Sequence, residues 1–295
     1  MTSTEATIVV GVEGTARSGA GDAAAVELGA WEAARHHVGL HLVHGHQAAP
    51  RWLQARTTTD DDTPERTRAM LGRIIDRATI AHPDIVITGA VNDGGLASAI
   101  TAASAGSGLA IVTADSRVRY GGLLAGLVSI QVVTHARTSV LVVSPPTPRG
   151  PPAIMARVVV VGVDGSSGSA DAVAFAFDEA RARGARLEAV YVWELPAPGN
   201  GTRPGPLQAA ADRMLHEATA PWQDKYPDVA VVHDTVRGDN PVRALNDAAD
   251  GADLIVVGRR GNGGFDGLLL GSVSDGLVRY SRRTVAVIRR DAAMQ

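Results

Sequence analysis

Hydrophobic positions in this chain fall into two kinds of run. Short unbroken stretches, such as Ile8-Val9-Val10, Val140-Leu141-Val142-Val143 and Leu254-Ile255-Val256-Val257, suit strands buried on both faces of a parallel sheet. Between them lie longer segments whose apolar residues recur three and four apart, the period of a helix with one buried face. In the first half this pattern predicts strands at 7–12, 40–44, 84–88, 109–113 and 139–143, with helices near 20–38, 64–81, 96–105 and 127–136. In the second half it predicts strands at 157–163, 186–192, 229–235, 253–257 and 284–288, with helices near 169–183, 206–224, 240–249 and 272–280. Strands alternating with helices predict an α/β fold, a parallel sheet covered on both faces.

The two halves are written in the same words. Ile8-Val9-Val10-Gly11-Val12-Glu13-Gly14 matches Val159-Val160-Val161-Gly162-Val163-Asp164-Gly165, and Gly121-Gly122-Leu123-Leu124-Ala125-Gly126 matches Asp266-Gly267-Leu268-Leu269-Leu270-Gly271. The offset between matches drifts by a few residues, as loop insertions and deletions in two copies produce. Two tandem doubly wound domains of five strands each are therefore expected, at 1–144 and 154–295. The segment 145–153 is dense in proline and reads as an extended, stiff linker.

One stretch carries chemistry. After the apolar run at 254–257 comes a glycine-rich segment, with Gly258, Gly261, Gly263, Gly264 and Gly267, and then Gly271-Ser272 opens an amphipathic helix with Val273, Leu277 and Val278 on one face. Glycines there let the backbone approach a ligand with no β-carbon in the way. The first N–H groups of the helix and its dipole favour an anion. Strand, glycine loop and helix N-terminus together predict a phosphate cradle. Its spacing, Gly258, two residues, Gly261, nine residues, Gly271-Ser272, arises by chance about 0.04 times in such a chain, so it carries information. The plain alternative is a turn that only needs flexibility.

This spacing resembles the ATP-binding signature of universal stress proteins, and the wording Gly258-Arg259-Arg260-Gly261-Asn262-Gly263-Gly264-Phe265 is similar to that of tandem actinobacterial members. The resemblance covers nearly the whole chain. It implies flavodoxin-like or Rossmann-like domains in which the loop wraps the phosphates of ATP, accompanied by Mg²⁺. It also implies a nucleotide-dependent regulator in stress response or dormancy, with little or slow hydrolysis, and no catalytic residues or resident metal site are assigned. Oligomerisation, or an intramolecular pseudo-dimer, is expected through the last strands at 140–143 and 285–288, with a protein partner left unidentified.

In an open parallel sheet, ligands bind beyond the carboxyl ends of the strands. Three other segments of the second half reach that edge. Gly162, Val163 and Asp164 end the first strand; Asp164 resembles the acidic residue of the family motif and is placed to accept from a ribose or the adenine amine, its plain alternative being a helix cap. Val192 would pack on the base, or serve only as sheet core. Gly238 and Asp239, ahead of Pro241, touch the nucleotide or cap the next helix. Within the loop, Arg259 and Arg260 offer charge to a phosphate.

The first half departs from the signature. Aligned on Gly126, Thr113 stands at Gly258, Ser116 at Gly261 and Leu127 at Ser272, while Glu13 replaces Asp164. Threonine does not adopt glycine's backbone angles cheaply, and Leu127 offers a phosphate no donor. The first half is expected to bind ATP weakly or not at all. The alternative is a variant cradle rebuilt from Ser116, Arg117, Gly121 and Gly122.

Composition narrows the rest. The formal net charge is −3, so no broad basic surface advertises nucleic acid. There is no cysteine, and Lys225 is the only lysine, so neither a thiolate site nor a Walker loop can be built. The first thirty residues lack a signal pattern, and apolar runs are too short to span a bilayer, so a cytoplasmic protein without membrane partners is expected. Five of the nine histidines (His36, His37, His41, His44, His46) share one window, where an ordinary exposed or satisfied cluster outweighs a metal site. Two readings from other classes stay open: an adenine-nucleotide α-hydrolase-like enzyme, poorly matched by Gly165-Ser166-Ser167-Gly168, and a nucleotide-free interaction module.

Overall fold

The structure is a computed structural model that describes residues 7–14, 19–46, 63–114, 119–120, 123–124, 128–144, 157–194, 204–261 and 269–289. The chain divides into two compact units, Met1–Thr147 with Ala292–Gln295, and Pro148–Asp291. The 145–153 linker lies outside the described residues.

The first unit holds β1 (Thr7–Gly11), α1 (Gly19–His36), β2 (Gly39–His46), α2 (Pro64–Ala81), β3 (Ile87–Asp93), α3 (Leu96–Ala103) and β4 (Leu109–Thr113). There follow a short antiparallel pair, β5 (Arg119–Tyr120) with β6 (Leu123–Leu124), then α4 (Val128–His135) and β7 (Ser139–Val143). Within this unit the parallel strands lie in the order β3-β2-β1-β4-β7. The second unit holds β8 (Val158–Gly162), α5 (Ser167–Arg183), β9 (Arg186–Trp193), α6 (Pro204–Lys225), β10 (Val231–Arg237), α7 (Pro241–Ala248), β11 (Leu254–Gly258), α8 (Ser272–Tyr280) and β12 (Thr284–Ile288). Its order is the same: β10-β9-β8-β11-β12.

The order follows from burial. Every residue of β4 and β7, and all but the last of β8 and β11, is buried. Those are the unbroken Val, Ile and Leu runs, and only a strand covered on both faces uses them. The winding reverses at β8, which pairs with β9 on one side and β11 on the other. That reversal opens a crevice beyond the carboxyl ends of β8 and β11.

Two strands differ from the expected positions. β3 runs from Ile87 to Asp93 and not 84–88, and β10 from Val231 to Arg237 and not 229–235. Both strands have a described neighbour within their unit on one side only and are only partly buried, so no apolar run marks them. Pairing with the inner strand sets their register, Leu40 beside Ile87 and Leu187 beside Val231. Val86, read as strand, is 72% exposed just ahead of β3. The β5–β6 pair was not expected from the hydrophobic pattern.

Candidate functional site

The crevice of the second unit is lined by the turn after β8 and the segment after β11. Gly162 closes β8, and the Val163 amide continues the ladder by donating to the Val190 carbonyl at 2.9 Å, with the Val163 side chain buried. The chain then turns. Asp164 Oδ1 accepts from the Ser166 amide at 3.0 Å, Gly165 takes a left-handed φ of +76°, and Ser166 caps α5 by accepting from the Ser169 amide at 3.1 Å. The helix cap is thus Ser166, and Asp164 is left at the turn's tip facing the glycine loop.

That loop is pressed onto this turn at three glycines. A β-carbon on Gly261 would run into Asp164 Oδ2. One on Gly258 would lie 2.6 Å from the Gly168 carbonyl oxygen, and one on Gly168 would lie 2.6 Å from that of Arg260. The glycines therefore serve close backbone approach, which brings two segments far apart in sequence to one edge. Asn262, Gly263 and Gly264 lie outside the described residues.

Backbone bonding narrows the expected cradle. The Arg259 amide donates to the Ile288 carbonyl at 2.8 Å and the Gly271 amide to the Arg259 carbonyl at 2.9 Å, so neither is offered to a phosphate. Gly271 is the N-cap of α8 and contributes no side-chain capping bond, and its carbonyl accepts from the Asp275 amide at 2.9 Å. The amides of exposed Ser272, half-buried Val273 and buried Ser274 thus form the first turn of α8, where an anion is favoured. The Ser274 hydroxyl ties that turn to the loop, donating to the Arg259 carbonyl at 3.0 Å.

Charge at the site is positive and crowded. Arg259, half-buried, is pushed down to about 10 by burial first, and then by the neighbouring guanidinium groups of Arg289 and Arg260. It stays protonated at neutral pH, and an anion between these groups would relieve their repulsion. Arg260 is exposed. Arg289 was not singled out from the sequence; the available signal was register, since Gly258 pairs with Ile288 and the next residues are Arg259 and Arg289. Gly168 and Ser274 were missed too, because their roles are contacts across the fold.

The remaining candidates sit further along the same edge. Val192 is half-buried near the end of β9 and pairs with Val236. The Gly238 amide donates to the Trp193 carbonyl at 3.1 Å, and a β-carbon on Gly238 would lie 3.8 Å from Val192 Cγ1. Asn240, not Gly238 or Asp239, caps α7, accepting from the Arg243 amide at 3.0 Å, with Pro241 opening the helix.

The first unit repeats the geometry with different contents. The Val12 amide donates to the Val43 carbonyl at 2.9 Å, matching Val163 and Val190. Thr113, at the Gly258 position, is buried at the end of β4. Ser116, Arg117, Gly121, Gly122 and Leu127 lie outside the described residues. Of the clustered histidines, His41 Nδ1 lies 2.8 Å from Thr88 Oγ1 and His44 Nδ1 lies 2.8 Å from the Val12 carbonyl. Among the described residues, no group of three or more His, Cys, Asp or Glu is arranged to hold a metal ion, and no helix is long and apolar enough to cross a membrane.

Comparison with known proteins agrees with this repeated architecture. The sequence model of the universal stress protein family matches residues 6–144 and again 155–289. A universal stress protein of Mycobacterium tuberculosis is 37% identical over 211 residues, which span 69% of this chain and 65% of that protein. The match thus covers somewhat under two thirds of that relative's length. A solved universal stress protein of Archaeoglobus fulgidus superposes with a TM-score of 0.63 at 17% identity, covering 97% of this chain and 96% of that one, a likeness of fold. Another solved universal stress protein, in complex with cAMP, is 33% identical, covering 46% of this chain and 98% of that one with a TM-score of 0.36.

Proposed function

Because the chain belongs to the universal stress protein family, we propose that its second unit binds ATP in the crevice between the turn after β8 and the loop after β11, and that the chain acts as a nucleotide-dependent regulator in stress response or dormancy. The domain limits 1–144 and 154–295 are part of this reading. The observation that carries it is the contact of Gly261 with the Asp164 carboxylate, which puts the signature loop against the strand-end acid at the sheet's reversal point. The phosphates would lie at the first turn of α8, over the Ser272 and Val273 amides, with Arg259, Arg260 and Arg289 around them. The base would lie toward Val192 and Gly238.

Mg²⁺ commonly binds through one or two carboxylates together with substrate phosphates. Asp164 offers a carboxylate at this crevice, and no group of three or more such ligands is gathered among the described residues, so they fit an ion that arrives with the nucleotide and not a preformed cage. Bound there, the ion would neutralise phosphate charge. Slow turnover is part of this reading: the amides and guanidinium groups only hold an anion, and Asp164, the site group able to accept a proton, is engaged by the Ser166 amide. Binding would shift the population competent for a protein partner.

The test is calorimetric titration of nucleotide-stripped protein with ATP, ADP and cAMP, with and without Mg²⁺, beside mass identification of whatever co-purifies. Saturable heat near one equivalent of ATP, strengthened by Mg²⁺, is expected. Absence of heat at millimolar ATP would sink the reading; rapid release of AMP would replace it with an enzymatic one.

A further inference from the structure

The turn that leaves β1 in the first unit is bonded by its own chain. Asp22, on the first turn of α1, is 4% exposed, and its two carboxylate oxygens accept from the Gly14 amide at 2.8 Å and the Glu13 amide at 3.2 Å. Glu13 and Gly14 hold the places of Asp164 and Gly165. Gly14 has a φ of +69°, so the two amides form the kind of turn that gathers around an anion. A buried carboxylate accepting backbone N–H groups is a charge-assisted arrangement. The α5 residue at the corresponding position is Ser169, whose hydroxyl donates back to the Ser166 carbonyl at 2.9 Å.

Two further features close the same edge. His44 reaches the Val12 carbonyl, which can only accept, so Nδ1 carries the proton and the imidazole is a donor supplied from within. Gly45, two residues beyond Val43 as Val192 is two beyond Val190, has the Gly95–Leu96 backbone against it; a β-carbon at Gly45 would collide with the Leu96 amide nitrogen and its neighbours. On Gly14, the space of a β-carbon is taken by the Met70 side chain. Anion, donor and strand-end surface are each supplied internally.

We propose that the first unit is a self-liganded copy of the crevice, with the Asp22 carboxylate as its resident anion, so that this unit keeps its Glu13 and Gly14 amides bonded without a nucleotide. The proposal rests on the reading that the second unit's crevice takes a phosphate from outside, but its test uses no nucleotide and reads only the first unit. Removing the resident anion should leave a vacancy that an external one can fill.

The experiment is amide hydrogen exchange by mass spectrometry on the full chain, following the peptide that spans 7–14, with the β2 peptide as an internal control. In Asp22→Ser, which installs the residue type of position 169, exchange at Glu13 and Gly14 should quicken by about tenfold or more while β2 is unchanged. Millimolar inorganic phosphate should restore much of that protection in the variant and do nothing to the parent. Asp22→Asn, which keeps an acceptor oxygen without the charge, should lie between and serves if the serine variant does not fold. Unchanged exchange in both variants would overturn the proposal. Loss of protection that phosphate does not restore would also overturn it, leaving Asp22 a turn cap and no more.

Discussion

The two strand-end crevices begin alike and then part. In each unit the residue after the first strand donates to the second strand at 2.9 Å, Val12 to Val43 and Val163 to Val190. Beyond that point the first unit turns inward: the Glu13 and Gly14 amides go to Asp22, and Thr113 is buried where the second unit has glycine. The second unit instead spends its Asp164 carboxylate on the amide of Ser166 and on facing Gly261. It also gathers three arginines near the start of α8. One topology thus supports a closed edge and an open one. The difference lies in a few residues: a carboxylate on the turn amides in one unit, and a cluster of arginines beside the glycine loop in the other.

The comparison is broken most directly at Gly261. Gly261→Val drives a side chain into Asp164 and should lower ATP affinity about 100-fold or more by calorimetry, whereas Thr113→Gly in the first unit should add no second equivalent. Asp164→Ala removes the carboxylate that faces the loop and should cost about 30-fold in affinity, the scale of a charged hydrogen bond. If both variants kept a full bound equivalent, the assignment of binding to the second unit would be wrong.

Smaller changes sharpen the comparison. Gly168→Ala places a β-carbon 2.6 Å from the Arg260 carbonyl and should destabilise the second unit by about 1–2 kcal/mol in denaturant titration. Arg289→Gln should weaken ATP binding roughly fivefold at low salt and less at high salt, because the contribution of this cluster is screened. A parent affinity that ignores ionic strength would remove the arginine cluster from the account.

The smallest effect is a pH dependence. His233 on β10 lies against His216 of α6, ring centroids 4.1 Å apart, and bonds Thr219 Oγ1 at 2.8 Å. Burial first, and then His216, lowers its pKa below the ordinary 6.5. The unfolded chain therefore binds a proton that the folded one resists, so stability is full above about pH 6.5 and falls as pH drops toward the folded value. His41 in the first unit, lowered by burial beside Thr88, adds a loss of the same sign. Replacing His233 with Asn should flatten the acid limb of the denaturation midpoint; an unchanged limb would assign it elsewhere.

Much of this was legible before the fold. Strands β4, β7, β8 and β11 are apolar runs because both of their faces are covered. The strands β3 and β10 lie two to five residues beyond their expected bounds because half-exposed strands take their register from a neighbour. The glycine spacing marked the loop, but not the fate of its amides: those of Arg259 and Gly271 are spent on carbonyls, which only the fold discloses.

By itself, the order of residues determined the repeat, the alternation of strand and helix, and the glycines that permit close approach, since these depend on neighbours within a few positions. Only tertiary structure decided which charges meet. Parallel pairing of β11 with β12 brings Arg289 beside Arg259, and the packing of α1 brings Asp22 to Glu13 and Gly14. Electrostatic contacts act through space across such pairings and turns, and periodicity along the chain carries no record of them.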